Sequence, residues 1–403
     1  MPLPSPITLA TPMNTKTLVL ITLAAAPLSA LAQSSITLYG IADTGVRYTS
    51  GLTAANAASN TSGAALSSGV NTTSRFGFRG REDLGGGMYA LFNLETGLNL
   101  DTGTTANSSK FFDRAAIVGL GGNWGQVTAG RQTNLLADAI SPVDPVGMRF
   151  AAFNPNIATA ALSSHGLGVE YGSAGATTGS YRLDNSVKYT GRFGGLTARA
   201  MYSFGETAQG GSARSSAGAG LAYGTQTWTV SGAYQRFKTA DQWELKAATL
   251  GASYKWDNLR LALNTARSDG QTNATTSRTV QRVHSLGATW SARSTLDLTA
   301  ALYRVERERS GRAAEGYTRA LLFAEYKLSR RSKLYAELDR THWSGGFQGG
   351  QNKDVATGVT AGLMHSFWGA LRALAPLPTQ PPSFLNGVSE VIQPLPWGQI
   401  TSL

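Results

Sequence analysis

Chemistry in this chain has to be done without thiols. Among 403 residues there is no Cys, and the only histidines are His165, His284, His342 and His365. A disulfide framework, a thiolate metal site and a cysteine nucleophile are therefore excluded. A nucleophile relay needs a histidine beside Ser and Asp, yet no Gly-x-Ser-x-Gly accompanies any of the four. Strand alternation puts His365 on an apolar face, and His284 and His342 near opposite ends of their segments. Four scattered imidazoles are also too sparse for a His-based metal site, so no enzyme, metal or cofactor is expected. What remains is charge. Lys plus Arg number 35 against 24 Asp plus Glu, a formal +11. Arg75, Arg79 and Arg81 alternate with Phe76 and Phe78, which puts three guanidiniums on a wet face and two rings on an apolar one. Guanidiniums stay charged at neutral pH, and a fixed positive surface concentrates anions.

The elements that position such a face are visible from where proline is missing. The 14 prolines fall into three groups: five up to Pro27, then Pro142, Pro145 and Pro155, then six from Pro376 onward. Proline cannot donate to a ladder, so the long proline-free stretches suit an extensive sheet, and the central three mark a segment that is not sheet. Lys16, the apolar run 18–28 and Ala30-Leu-Ala32 describe a secretory signal peptide over 1–32, with Met13 as an alternative start. The run is shorter than the roughly 20 apolar residues a spanning helix needs. The mature protein is expected to begin at Gln33 outside the cytoplasm, which removes nucleic acid as a partner. The 15% charged fraction and 47 Gly argue against a coiled coil or a disordered polyelectrolyte.

Period-two alternation recurs in sixteen segments: 35–48, 74–81, 88–100, 111–121, 125–132, 183–190, 196–205, 217–224, 226–237, 246–256, 258–268, 282–291, 295–305, 317–328, 332–341 and 355–367. Between them, short turns such as 122–124, 257 and 329–331 alternate with long connections such as 49–73, 269–281 and 342–354. A soluble sandwich has no reason to sort its loops this way, whereas a transmembrane barrel has short periplasmic turns and long outer loops. Trp124, Phe193, Trp256 and Trp290 cluster beside short turns, where an interfacial girdle belongs. The expected fold is all-β: a 16-stranded antiparallel transmembrane barrel. Gly85-Gly-Gly87 reads as a turn rather than a phosphate cradle, because no Lys-Ser/Thr and no helix follows it. The alternatives are a secreted β-sandwich adhesin, a barrel-embedded enzyme and a substrate-specific channel.

Ordered motifs then carry a resemblance. Ser35-Ile-Thr-Leu-Tyr-Gly-Ile-Ala-Asp, Ser74-Arg-Phe-Gly-Phe-Arg-Gly, Glu82-Asp-Leu-Gly-Gly-Gly and Leu94-Glu-Thr-Gly come in sequence. Asn185-Ser-Val-Lys-Tyr-Thr and Thr357-Gly-Val-Thr-Ala-Gly-Leu-Met-His-Ser-Phe follow. Over 33–367 the chain resembles the Gram-negative general porins of β-proteobacteria, of the Neisseria, Bordetella and Burkholderia type. The resemblance implies a homotrimer in the outer membrane, in contact with lipid bilayer and lipopolysaccharide and inserted by the outer-membrane assembly machinery. It also implies passive passage of small hydrophilic solutes and an inward-folded third loop narrowing each pore. Relatives end at the phenylalanine, whereas here a Pro-rich extension, 368–403, follows without periodicity.

The connection 133–182 is the longest and holds all three central prolines. Connections of that length are usually functional or disordered. In a barrel with an aqueous lumen, a stiff loop turned inward sets the bore, and the charges around the narrow zone set selectivity. The resemblance carries the constriction role to Arg75, Arg114 and Arg149, beside Arg79 on the Arg75 face. Glu95, Asp138 and Asp144 are expected as acidic counterparts across the bore, and Arg131 as a secondary member. Arg114 fits alternation least, because its face also carries Phe112 and Val118. Without Lys16 in the leader, and with Arg372 and Glu390 cancelling in the tail, the +11 becomes +10 for the barrel. An anion-preferring diffusion channel is expected.

Overall fold

Alternating residues make ribbons with one greasy and one wet face, and such ribbons are stable in lipid only when every edge is paired. The computed structural model describes residues 35–53, 56–161, 171, 181–206, 211–272 and 277–371. The leader 1–32, His165 and the extension beyond 371 lie outside the described residues. In chain order come β1 (Ser35–Leu52), β2 (Ala58–Ser68), β3 (Arg75–Gly85), β4 (Met88–Asn99), β5 (Thr104–Thr105), β6 (Ala115–Gly122) and β7 (Gly125–Thr133). Two short helices follow, α1 (Leu135–Ile140) and α2 (Pro155–Ala160). The remainder is β8 (Arg182–Phe193), β9 (Leu196–Ser203), β10 (Ser216–Gly224), β11 (Trp228–Lys238), β12 (Glu244–Trp256), β13 (Leu259–Gln271), β14 (Arg278–Arg293), β15 (Leu296–Arg309), β16 (Glu315–Lys327), β17 (Ser332–Ser344) and β18 (Val355–Leu371).

Each strand pairs antiparallel with its neighbours, and β1 pairs with both β3 and β18, so the sheet closes on itself. Of the eighteen strands, β2 and β5 belong to connections, since β2 pairs only with β1 and β5 only with the end of β4. The other sixteen form the wall, as expected. Short connections at 86–87, 123–124, 194–195, 225–227, 257–258, 294–295 and 328–331 alternate with the longer ones.

Most strands run a few residues longer than the sequence expectation, and four differences have a readable cause or consequence. Residues 58–68, expected as loop, form β2 against the upper half of β1, Tyr48 opposite Ala64, where β3 no longer reaches. Ala, Ser and Gly dominate that segment, so it carries no apolar alternation to read. The segment expected from 111 begins as strand only at Ala115. β13 and β14 extend into the expected connection, with Gln271 opposite Arg278. The last strand does not stop at Phe367 but runs to Leu371, opposite Ile36. The start of β1 would otherwise leave backbone groups unpaired toward lipid.

One face of the wall shows exposed leucines, among them Leu261, Leu263, Leu286, Leu302, Leu322 and Leu338, with Trp124, Phe193, Trp256 and Trp290 exposed beside the short connections. The connection after β7 rests on the opposite face. Asn134 caps α1 by accepting from the Ala137 amide at 2.9 Å. Leu135, Leu136 and Ile140 are buried with Met201, Phe237 and Leu245 of β9, β11 and β12. Fully burying each such side chain is worth about 1.5–3 kcal/mol. Beyond α1, Val143 comes so close to β12 that a Cβ on Gly251 would meet its Cγ2 at 2.5 Å, and one on Gly287 would meet Pro145 at 2.7 Å. Phe150 then packs at 4.9 Å on Phe323 of β16. The connection thus crosses the lumen face from β9 to β16.

Candidate functional site

Arg75 opens β3, directly opposite Gly97 of β4, and Glu95 lies two residues further along that neighbouring strand. Arg75 Nε stands 3.8 Å from Glu95 Oε2, and Arg114 Nε 2.6 Å from Glu95 Oε1. Arg114 lies just before the first residue of β6, so the alternation that counted Phe112 and Val118 with it does not govern its direction. Its amide donates to the Glu95 carbonyl at 3.1 Å, which holds the side chain on the Glu95 side. The Tyr39 hydroxyl lies 2.7 Å from Asn93 Oδ1 and 3.0 Å from Glu95 Oε2. Arg79 sits with its Cζ 5.0 Å from the Tyr39 ring centroid. Arg182, the first residue of β8, donates Nε to the Arg114 carbonyl at 2.6 Å and stacks 4.3 Å from the Tyr181 ring.

Tyr181 precedes β8. Burial pushes its phenol up, but Arg182, then Arg114 and Arg75, more than offset this and hold its pKa down at about 8. For Arg114, burial lowers the pKa and Glu95 more than restores it, leaving it raised. Beside this group, Arg131 reaches Asp184 at 2.6 Å and the Asp113 carbonyl at 2.6 Å, and Lys110 meets the same Asp184 at 2.7 Å.

Arg149, on the inserted connection, belongs to a different stretch. Its Nη1 bonds to Glu325 of β16, whose other oxygen takes Lys333 of β17, and its Cζ lies 4.7 Å from the Phe323 ring. Nearby, Arg47 of β1 spans Glu337 at 2.9 Å and Asp339 at 2.6 Å. Asp138 of α1 accepts from Thr133 at 2.7 Å and Lys188 at 2.8 Å, with Arg199 at 3.9 Å. Asp144 is fully buried, not facing the bore. Its carboxylate takes the amides of Val146 and Met148 at 3.2 and 2.7 Å, and the side-chain amides of Asn154 and Asn156 at 3.1 and 2.6 Å. Desolvation nevertheless raises its pKa. This side chain folds the connection rather than opposing the arginines.

Of the eight expected residues, the fold brings Arg75, Arg79, Arg114 and Glu95 into one cluster, with Arg131 in the group next to it. Arg149, Asp138 and Asp144 sit apart. Sequence reasoning missed Arg182, Tyr39, Tyr181, Asp184, Lys188 and Glu325 as members of these networks. Tyr39 lay on the wet face of the first segment and Arg182 at the end of the long connection, so both carried a readable signal. Among the described residues no group of His, Asp and Glu could hold a metal.

A closed sixteen-stranded barrel with leucines outside, an aromatic girdle and a charged, loop-crossed interior is a membrane channel fold. A family described as Gram-negative porin matches residues 18–346, and the chain belongs to that family, in the outer membrane. It is 32% identical over 267 residues to an outer membrane porin protein of Bordetella pertussis, covering 59% of this chain and 65% of the relative. It is 34% identical over 258 residues to outer membrane porin protein 32 of Delftia acidovorans, covering 61% and 68%. Among solved structures, the anion-selective porin from Comamonas acidovorans aligns with a TM-score of 0.68 at 25% identity, over 83% of this chain and all of that one. An outer membrane protein of Vibrio cholerae aligns with a TM-score of 0.61 at 15% identity, which bears on the fold alone.

Proposed function

We propose that this protein is a passive, anion-preferring diffusion channel for small hydrophilic solutes, without a catalytic step, working as a homotrimer among lipopolysaccharide. The observation that carries the reading is unequal pairing: Arg75 and Arg114 share the single carboxylate of Glu95, with Arg79 and Arg182 alongside. Guanidiniums in excess over carboxylates leave net positive charge on the lumen wall, and a narrow low-dielectric channel focuses that field. The connection on the lumen face narrows the bore, so solutes pass close to the arginines. The anion selectivity of the Comamonas porin supports the preference, and the trimer form of the Vibrio protein is in keeping with the assembly.

The test is swelling of liposomes carrying the refolded protein. Small sugars should enter, and small organic anions should enter faster than cations of equal size. Liposomes that stay impermeable to all of them would overturn the channel. Equal entry of anions and cations would overturn the preference. Mobility in gel electrophoresis before and after heating reports the trimer.

A further inference from the structure

Above the inserted connection, at the long-loop end of the wall, lies an open cleft of about 620 Å³ between α2 and strands β14–β17. A lumen face meant only for water would be polar there. Instead Tyr317 and Trp343 sit 4.8 Å apart, and Trp343 stacks on Phe347 at 5.7 Å with planes 17° apart. Two guanidiniums lie against these rings, Arg307 at 3.9 Å from Phe347 and Arg319 at 5.3 Å from Tyr317.

Their nitrogens are only partly used. Arg307 gives Nε to Glu315 at 2.5 Å, and among the described residues its Nη1 and Nη2 have no hydrogen-bond partner. Arg319 gives Nε to Thr341 at 2.6 Å and Nη1 to the Phe153 carbonyl, which leaves Nη2 open. Arg309 also leans on Glu315, at 2.7 Å, so two guanidiniums share that carboxylate, while Arg319 meets only a hydroxyl and a carbonyl. Three lining residues, Trp343, Gln281 and Gln348, hold buried polar atoms with no partner. Leaving such an atom unsatisfied costs about 1–3 kcal/mol.

We propose that this cleft is a binding site for small aromatic carboxylates entering from outside. A flat ring fits beside the aromatic wall and the alanines of α2 and the first connection, where apolar area leaves water. The carboxylate meets the open donors of Arg307 and Arg319, the geometry guanidinium recognises best. Neither half suffices alone, since exposed charge binds acetate as readily and an apolar wall does not choose anions. The proposal goes beyond passive diffusion by naming a solute class and a place, and it rests on the channel reading only for the route of access.

Isothermal titration of the refolded, detergent-held protein with sodium benzoate tests it, with sodium acetate as the carboxylate lacking a ring. Benzoate should bind saturably and acetate at least about tenfold more weakly, because the ring's burial is lost. Arg307→Gln removes two open donors while Glu315 keeps Arg309, and should weaken benzoate by about tenfold or more. Ala158→Phe, which fills the cleft from α2, should abolish the benzoate isotherm. Both variants should conduct KCl like the unaltered protein, which shows that the barrel has folded. Benzoate and acetate binding alike, or both variants titrating like the parent, would overturn the proposal. A parent that binds benzoate but conducts no KCl would contradict the channel and leave the cleft standing.

Discussion

Two stretches of the lumen wall treat arginine in opposite ways. Along β3, β4, β6 and β8, Arg75 and Arg114 converge on Glu95, and Arg79 and Arg182 lean on tyrosines. Along β16, β17 and β1, Arg149, Lys333 and Arg47 are matched by Glu325, Glu337 and Asp339. The first stretch has cations to spare, whereas these three cations of the second are balanced, with Arg319 of β16 apart from them toward the long-loop end. Arg149 is part of the inserted connection, so the balanced stretch clamps that connection to the wall, and the unbalanced one is the stretch we propose meets solute. The charge each stretch presents therefore depends on how many carboxylates accompany its arginines and not on the arginines alone. Burying a charge is costly unless it is paired; Arg114 and Arg182 are buried in this stretch, whereas Arg75 and Arg79 keep partial exposure.

The largest effect is expected from undoing the internal fold of the connection. Asp144→Ala removes the acceptor for two backbone amides and two asparagine side chains. Hydrogen bonds to a charged group are worth about 1.5–3 kcal/mol each. The connection should come loose, and single-channel recording should show higher and noisier conductance; steps like the parent's would mean that Asp144 does not hold the fold of the connection.

Next comes the unbalanced stretch. Arg75→Gln combined with Arg79→Gln removes two cations while Arg114 still covers Glu95, so permeability for chloride over potassium should fall most of the way to parity. A smaller change of opposite sign is expected from Glu325→Gln, which frees Arg149 and Lys333 from their shared carboxylate. It turns part of the balanced stretch into an unbalanced one, and anion preference should rise in the same recording. If it falls, the two stretches do not differ as described.

The smallest effect is pH-dependent. Tyr181 is neutral below its pKa of about 8 and negative above it. A phenolate among Arg75, Arg114 and Arg182 cancels one positive charge, so anion preference should decline between pH 7 and 9. Tyr181→Phe should flatten that profile.

The wall was legible in the sequence because lipid and lumen impose a period of two on every strand, and antiparallel order sends alternate connections, short and long, to opposite ends. The connection 133–182 announced itself by Pro142, Pro145 and Pro155. Its seat did not, although Leu321, Leu322 and Phe323 are three consecutive apolar residues of which only Leu322 is exposed. A strand apolar on both faces signals something packed inside the barrel. Arg114 looked inconsistent only because the strand was taken to begin too early. Asp144 and Glu95 are both acidic residues within reach of arginine in a linear reading. Only the folded connection shows that Asp144 is consumed by its neighbours' amides, while Glu95 stays between arginines. Arg47 and Glu337 are 290 positions apart, and no local pattern could have joined them.

The zero-current potential across a planar bilayer under a KCl gradient, recorded at about 0.1 M and again at about 1 M mean salt, tests the surplus of arginine most directly. The Debye length falls from about 10 Å to about 3 Å between those conditions. The sign of the potential should report chloride as the more permeant ion at low salt, and its size should shrink at high salt. Potassium passing more readily than chloride at low salt would contradict the account.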